Sequence, residues 1–180
     1  VVNHAGTKLL NYARDLDENC DIAIGGLDVL VNNIVGSGIG IEPQVKTKSG
    51  KPVQKFNEKL REAFQKWSRM ADVTRDYTFE ELQQLCCRSW LRDGEVFVEY
   101  VQGNVRANRG RDVLMCVRAM ESEWLPHMLN EQRPARIVHG VEKDSDGIPV
   151  AYHFYQDMGD PIYQRYMTTF DTRRIPSERV

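Results

Sequence analysis

The sequence predicts an α+β fold in which N-terminal helices pack on an antiparallel β-sheet. Apolar residues recur at helical spacing in the first half of the 180-residue chain, and they alternate with a period of two in the second half. Helices therefore precede strands, which favours an antiparallel sheet over alternating βαβ units. The length suits a single domain. We expect residues 1–75 to be mainly helical and residues 76–180 to form a helix followed by antiparallel strands.

Four helices are predicted. The first contains Leu9 and Leu16, the second begins near Asp21 and ends at Gly36, and the third carries an apolar stripe from Phe56 to Ala71. The fourth opens with a capping box and closes at a glycine, at Thr78, Glu81 and Gly94. Its predicted buried face consists of Phe79, Leu82, Cys86 and Trp90.

Strands are predicted in five segments after the fourth helix: 95–101, 113–117 with an extension towards Met120, 137–142, 148–155 and 167–172. The third and fourth of these flank Asp144–Gly147, a sequence typical of a tight turn. We therefore expect residues 137–155 to form an antiparallel hairpin with its tip at Asp144–Gly147.

Composition excludes several classes of protein. The net charge of −2 is that of neither a basic nucleic-acid binder nor an acidic tail. No apolar run reaches the roughly 18 residues of a membrane span, and Val1–Leu10 lacks the pattern of a signal peptide. Four cysteines without a C-x-x-C pair indicate reduced thiols in a cytoplasm.

Charge is unevenly distributed along the chain. Residues 1–43 carry two basic and six acidic side chains, whereas residues 44–75 carry nine basic and three acidic ones. Such alternation suits a subunit that meets copies of itself through complementary patches. It equally suits the solvated surface of a monomer.

No pattern of catalytic or metal-binding residues emerges. His139 and His153 lie on opposite arms of the predicted hairpin, with Glu142 as a distant third ligand, but a zinc site needs three or four ligands. Asp144-x-Asp146-Gly147 lacks the remaining ligands of a calcium loop. Nothing near the acid pair Glu121 and Glu123 suggests acid–base chemistry. The glycines at 36, 38 and 40 lack phosphate-loop spacing. We therefore predict no catalytic residue, no metal and no cofactor.

Two basic loops are the candidate contact residues. One contains Lys46, Lys48 and Lys51, and the other contains Arg106, Arg109 and Arg111. Flexible basic loops bind phosphates without reading sequence. They are therefore candidates for contacts with DNA or with another subunit, and solvated surface loops are the alternative.

Four segments are similar, in order, to motifs that occur together in one protein family. Asn33–Ile39, which follows the lead-in Ala13–Asn19, is similar to an Asn-Val-Val-Gly-x-Gly-Ile segment. Residues 79–97 resemble a helix ending in a Gly-Glu-x-Phe strand entry. Residues 137–152 resemble a Gly-Val-Glu-x-Asp…Gly-x-Pro-x-Ala-Tyr hairpin, and residues 174–180 resemble an Ile-Pro-x-x-x-Val segment. In this order the segments resemble the lambda-like tailed-phage portal family.

The resemblance implies a structural protein and not an enzyme. Family members form a ring with copies of themselves, a dodecamer in capsids, at one vertex of the virion. Double-stranded DNA passes through the ring, the terminase motor docks on it, and capsid and head-completion proteins contact it. No membrane is involved, and assembly takes place in the bacterial cytoplasm.

Residues 1–180 would correspond to the body, or wing, and we expect the family's stem and clip to be absent from this segment. Two other functions stay open at this point. One is a stand-alone, non-specific DNA-binding module, and the other is an enzyme whose site is not visible in the sequence.

Overall fold

Among the residues that the structure describes, four helices precede six strands along the chain. The computed structural model describes residues 2–103, 105–132, 134–156 and 172–180. The helices are α1 (Val2–Asn19), α2 (Asp21–Ile34), α3 (Gln54–Ser68) and α4 (Phe79–Asp93). The strands are β1 (Val96–Gln102), β2 (Met115–Glu121), β3 (Arg136–Val138), β4 (Val141–Lys143), β5 (Pro149–Tyr155) and β6 (Thr172–Pro176). The predicted α+β class is confirmed.

The predicted helix ends are confirmed by their capping contacts. The backbone N–H of Thr78 donates to the Glu81 carboxylate at 2.7 Å, and the Thr78 hydroxyl accepts from the Glu81 backbone N–H at 3.3 Å. Gly36 and Gly94 follow α2 and α4 with φ of 58° and 85°. Such positive values favour glycine, so each helix ends where the sequence supplies one.

The stripe predicted for α3 extends one turn too far. Ala71 lies beyond the end of the helix, although it is fully buried. Its carbonyl accepts from the backbone N–H of Val117 at 2.8 Å, and the Val73 N–H donates to the Val117 carbonyl at 2.9 Å. These bonds to β2 replace the helical bonds that the apolar spacing had predicted.

The buried face predicted for α4 is partly wrong. Trp90 is 53% exposed, while Leu82, Cys87 and Ser89 are buried. Successive helical residues lie about 100° apart around the axis. Because Ser89 lies on the buried face of the helix, Trp90 points away from that face. Asp93, four residues after Ser89, lies on the same buried face, and its side chain is buried against arginines.

The chain divides into two compact units, and the first comprises residues 25–88 and 100–119. Phe79 packs on Phe64 and Trp67, with ring centroids 5.9 and 4.9 Å apart. The Trp67 indole N–H donates to the carbonyl of Met115 at 2.8 Å. This bond fixes α3 on the strand pair β1–β2. The buried apolar side chains of this unit are Val31, Ala71, Leu82, Cys87, Val101, Cys116 and Val117.

The second unit comprises residues 1–24, 89–99 and 120–180. Its sheet has the order β3-β4-β5-β6, and neighbouring strands are antiparallel. Its buried cluster contains Met120, Leu125, Phe154 and Ile175. The ring of Phe97 meets that of Phe154 edge-on, with centroids 5.2 Å apart. Phe97 of β1 therefore packs against this buried cluster.

The predicted hairpin is confirmed at its tip. β4 and β5 pair antiparallel, and the backbone N–H of Asp144 donates to the carbonyl of Ile148 at 3.0 Å. The first arm, however, is not one strand over 137–142. The chain turns at His139 and Gly140, which have φ of 53° and 77°, so β3 and β4 form a second hairpin.

Two other strand predictions need adjustment. Val113 and Leu114 precede β2 and are exposed. The predicted strand 167–172 falls outside the described residues except at Thr172, where β6 begins.

Candidate nucleic-acid and subunit interface

The loop that carries Lys46, Lys48 and Lys51 is a closed turn. The backbone N–H of Thr47 donates to the Lys51 carbonyl at 2.8 Å, and Lys46 pairs with Pro52 in an antiparallel bridge. All three lysines are exposed. The turn presents three cations at one place, which is the arrangement expected of a phosphate or carboxylate contact.

The second basic loop divides its arginines between the surface and the interior. Arg106 and Arg109 are exposed, whereas Arg111 is only 7% exposed. The Arg111 guanidinium donates to the carbonyl of Ala107 at 2.9 Å and to that of Asp72 at 2.5 Å. Arg111 therefore holds its own loop to the segment after α3, and it is not presented to a partner.

The buried Asn108 supports the same loop. Its side-chain amide donates to the carbonyls of Val101 and Gly103, at 3.2 and 2.9 Å. Because Arg111 and Asn108 fix the backbone, Arg106 and Arg109 project from an ordered loop. Within the described ranges, no hydrogen bond or ion pair joins this loop to the one at Lys46–Lys51.

Gly36 and Gly38, which follow α2, tie this segment to α4. A Cβ on Gly38 would lie 2.4 Å from Cγ of Glu80, so only glycine fits against α4. The Gln84 side chain donates to the Gly36 carbonyl at 2.6 Å. Gln83 accepts from the N–H of Ile39 and donates to its carbonyl. These contacts tie the segment to α4 and leave it no phosphate-cradling geometry.

A network of charged side chains around the buried Asp93 carboxylate, in the second unit, was not predicted. Arg14 of α1 binds Asp93 at 2.8 Å and Glu121 at 2.9 Å, and it also bonds Glu123. Arg92 bonds Asp93 at 2.7 Å and Glu121 at 3.1 Å. Glu121 and Glu123, the acid pair noted in the sequence, are thus both bound by arginine.

The network determines the protonation of Asp93. Burial raises the pKa of this carboxyl, but the hydrogen bonds from Arg92 and Arg14 outweigh burial and hold the pKa below its ordinary value. Asp93 is therefore charged at neutral pH and acts as an anchor for α1 and α4. The sequence signal was faint: Arg14 and Asp17 share one side of α1, but nothing in the sequence pairs them with α4.

Two further carboxylates bind arginines near the C-terminus of the chain. Glu99 is 1% exposed and accepts from Arg173 at 2.7 Å and from Arg179 at 2.9 Å. Glu142 accepts two bonds from Arg174, at 2.7 and 3.0 Å. Nε2 of His153 lies 3.1 Å from the Glu142 carboxylate. Hydrogen bonds from Arg174 and His153 outweigh partial burial and lower the pKa of Glu142 to about 2.

The structure separates the two histidines that were weighed as metal ligands. Nδ1 of His139 lies 2.7 Å from the carbonyl of His127, because the chain turns at His139. His153 instead faces Glu142. In the described part of the chain, no group of three or more His, Cys, Asp or Glu side chains is placed to hold a metal ion.

The Asp-Gly turn that was weighed as a calcium loop has an ordinary structural role. The Asp144 carboxylate accepts hydrogen bonds from the backbone N–H groups of Asp146 and Ile148, both at 2.9 Å, and so closes the hairpin.

All four cysteines are free thiols. Burial, with the neighbouring Cys87, raises the pKa of Cys86 to about 11, which keeps its thiol protonated at neutral pH.

Within each unit, several buried or half-buried charged side chains bind partners of the same unit. The model of the family "Phage portal protein, lambda family" matches residues 1–180. The chain therefore belongs to the lambda family of phage portal proteins. A search of curated proteins found no match. No helix among the described residues is long and apolar enough to cross a membrane.

Proposed function

We propose that the chain is a subunit of the portal ring at one vertex of the capsid. The ring, a dodecamer of the full-length protein, forms the conduit for DNA during packaging and ejection. It also provides the docking platform for terminase, capsid and head-completion proteins. The observation that carries this proposal is the family match over all 180 residues. Residues 1–180 would form the body, or wing, of a subunit that assembles in the bacterial cytoplasm and remains in the virion.

The proposed role is structural and not enzymatic. Two observations support it. The acids and histidines weighed as catalytic or metal-binding residues are engaged by arginines or by turns. Gly36 and Gly38, which follow α2, contact α4.

The proposed DNA contact consists of five exposed cations. These are Lys46, Lys48, Lys51, Arg106 and Arg109. A conduit must let DNA slide, so few and shallow phosphate contacts suit it. In the part of the chain that the structure describes, the same residues are the feature that favours a stand-alone DNA-binding module.

A nonsense mutation in the phage gene tests the proposed function. We expect infected cells to accumulate capsids without packaged DNA, and we expect the intact gene supplied in trans to restore packaging. A matched nonsense mutation in a tail-fibre gene should leave packaging unchanged. Normal DNA-filled capsids in the absence of the chain would contradict the proposal.

A further inference from the structure

A shallow, open hollow of about 340 Å³ lies in the first unit, between the segment that follows α3 and the loop that carries Arg106. Its lining consists of Val73, Arg75, Arg106 and Ala107. Two arginines therefore share one hollow with two apolar side chains, and no acid is among the described residues that line it. Both arginines are exposed, and neither forms an ion pair with a described residue.

Arg75 has a backbone conformation that arginine rarely adopts. Its φ is 71°, in the left-handed region where glycine and asparagine are usual. Asp72 closes the turn around it, because its carbonyl accepts the Arg75 N–H at 3.3 Å and its carboxylate accepts the Asp76 N–H at 3.2 Å. An arginine at this position costs stability that a glycine would not, and strain of this kind is typical of functional sites.

The Arg75 side chain reaches the loop on the other side of the hollow. Its guanidinium donates to the carbonyl of Arg109, on the loop that Arg111 and Asn108 hold in place. This bond uses a single donor of the guanidinium fork, so the remaining donors are available to a ligand. The Arg106 side chain lines the same hollow and makes no hydrogen bond to a described residue.

The exposed charge around the hollow is positive. In residues 72–76 and 105–112, the exposed cations are Arg75, Arg106 and Arg109, and the exposed acids are Asp76 and Asp112. Asp112 lines a different cleft, beside α3, which leaves Asp76 to oppose three cations. The buried acid and the buried arginine of these segments offset each other. A surface that gathers cations in this way attracts an anion.

We propose that Arg75 and Arg106 together hold one phosphate group of the DNA backbone in this hollow. Guanidinium forks match the oxygens of a phosphate, and two of them can bind one group from two sides. The hollow is open to solvent, as a site for a phosphate within a long polymer must be. The inference rests on the proposed function, which already assigns Arg106 to the DNA contact, and it adds Arg75, which sequence reasoning missed.

Fluorescence anisotropy with a labelled duplex at low salt tests the site. Arg75→Asn removes the guanidinium and supplies a residue that tolerates the left-handed backbone, so the turn should survive. Arg106→Ala removes the second fork. Each variant should bind the duplex about two- to fivefold more weakly than wild type. The control is Arg136→Ala, which removes an exposed arginine of β3 and should bind as wild type does.

The salt dependence of binding separates one shared phosphate from two. The double variant, with Arg75→Asn and Arg106→Ala, should lower the salt slope by about 0.9, the value for one phosphate of duplex DNA. A fall of about 1.8 would mean that the arginines contact separate phosphates, and it would overturn the shared site. Binding by Arg75→Asn that equals wild-type binding would overturn the role of Arg75.

The stability of Arg75→Asn distinguishes a DNA contact from a purely structural role. Because the strained backbone then carries a residue that accepts it, the midpoint of urea unfolding should equal or exceed that of wild type. A clearly lower midpoint would show that Arg75 is kept for its bond to the Arg109 carbonyl. That result would contradict the assignment of Arg75 to DNA.

Inorganic phosphate tests the source of the ligand. At equal ionic strength, phosphate and chloride should displace the duplex equally. Stronger displacement by phosphate, lost in Arg75→Asn, would assign the hollow to a free phosphate and overturn DNA as the ligand. If no variant changes DNA binding, this inference fails while the portal proposal stands. The phage nonsense mutant tests the portal function independently of these measurements.

Discussion

Single residues in this chain carry buried charge that is balanced inside the same unit. Asp93 has two arginine partners, and Glu99 has two more. Removing one partner of a buried charge pair leaves the other charge uncompensated, which is strongly destabilising. These arginines therefore serve the fold.

Arg111 gives the most direct test of whether a buried arginine stabilises the fold while an exposed arginine on the same loop does not. Arg111→Ala removes two hydrogen bonds from a buried guanidinium, so we expect the free energy of unfolding to fall by about 2–3 kcal/mol. Arg106→Ala, on the same loop but exposed, should change it by less than about 0.5 kcal/mol. Urea denaturation measures both variants. Equal effects would contradict an internal role for Arg111.

Glu142 should make the free energy of unfolding depend on pH in the acidic range. Its pKa is lowered from 4.5 to about 2 by Arg174 and His153. A lowered carboxyl pKa contributes stability that is present above the unfolded value and is lost as the pH falls through the folded value. The free energy of unfolding should therefore fall between about pH 4.5 and pH 2 less steeply in Glu142→Gln than in wild type. Parallel pH curves would exclude this role.

Sequence reasoning located some residues well and others poorly. The capping residues Thr78 and Glu81 were predictable because the capping box is a local pattern. The burial of Arg111 and the pairing of Arg14 with Asp93 were not. Both depend on segments far apart in sequence, and the spacing of charged residues carries no information about such pairs.

At the level of elements, Gly38 determines how the segment after α2 packs on α4. Gly38→Ala would place a Cβ 2.4 Å from Glu80 Cγ and 3.2 Å from its Cα, at a φ of +102°. We expect a loss of about 1–3 kcal/mol in the free energy of unfolding. Gly40→Ala is the matched control, since its Cβ would meet nothing within 4 Å. A Gly38→Ala variant as stable as Gly40→Ala would show that the close approach is absent in solution.

The start of α4 depends on Thr78. Thr78→Ala removes the side-chain acceptor for the Glu81 backbone N–H, at a typical cost of about 1 kcal/mol. Thr78→Ser keeps the hydroxyl and should recover most of the loss. Thermal unfolding followed by circular dichroism compares the three proteins. An unaffected alanine variant would mean that the cap contributes nothing to stability.

The helices were predictable to within a turn because apolar spacing and glycine stops are local signals. The ends of the strands were less predictable from the sequence. The break at His139–Gly140 divides a run of alternating residues, and alternation alone gives no sign of it. The exposure of Trp90 also escaped the sequence, since its helical spacing fits a buried face as well as an exposed one.

For the whole molecule, the exposed cations predict weak DNA binding. We expect sequence-indifferent binding at low salt that is essentially absent at about 0.15 M, where screening reaches about 8 Å. Arg106→Ala with Arg109→Ala should lower the salt slope by up to about 0.9 per lost phosphate contact. Fluorescence anisotropy with two unrelated duplexes measures both effects. Tight binding at physiological salt, or preference for one duplex, would favour a stand-alone DNA-binding module.

Family membership explains the chain as a whole better than any single feature does. The match spans all 180 residues. The α+β class followed from sequence patterns alone, whereas the portal role followed from the family resemblance.

Immunogold labelling of phage particles with antibodies raised against the chain tests the portal role most directly. Electron microscopy of virions opened gently enough to admit antibody should show label at a single vertex, where the tail joins the capsid. Antibodies against a major capsid protein should label the whole shell in the same preparation. Label spread over the shell, or none on particles that the control antibody labels, would contradict the proposal that the chain forms the portal ring.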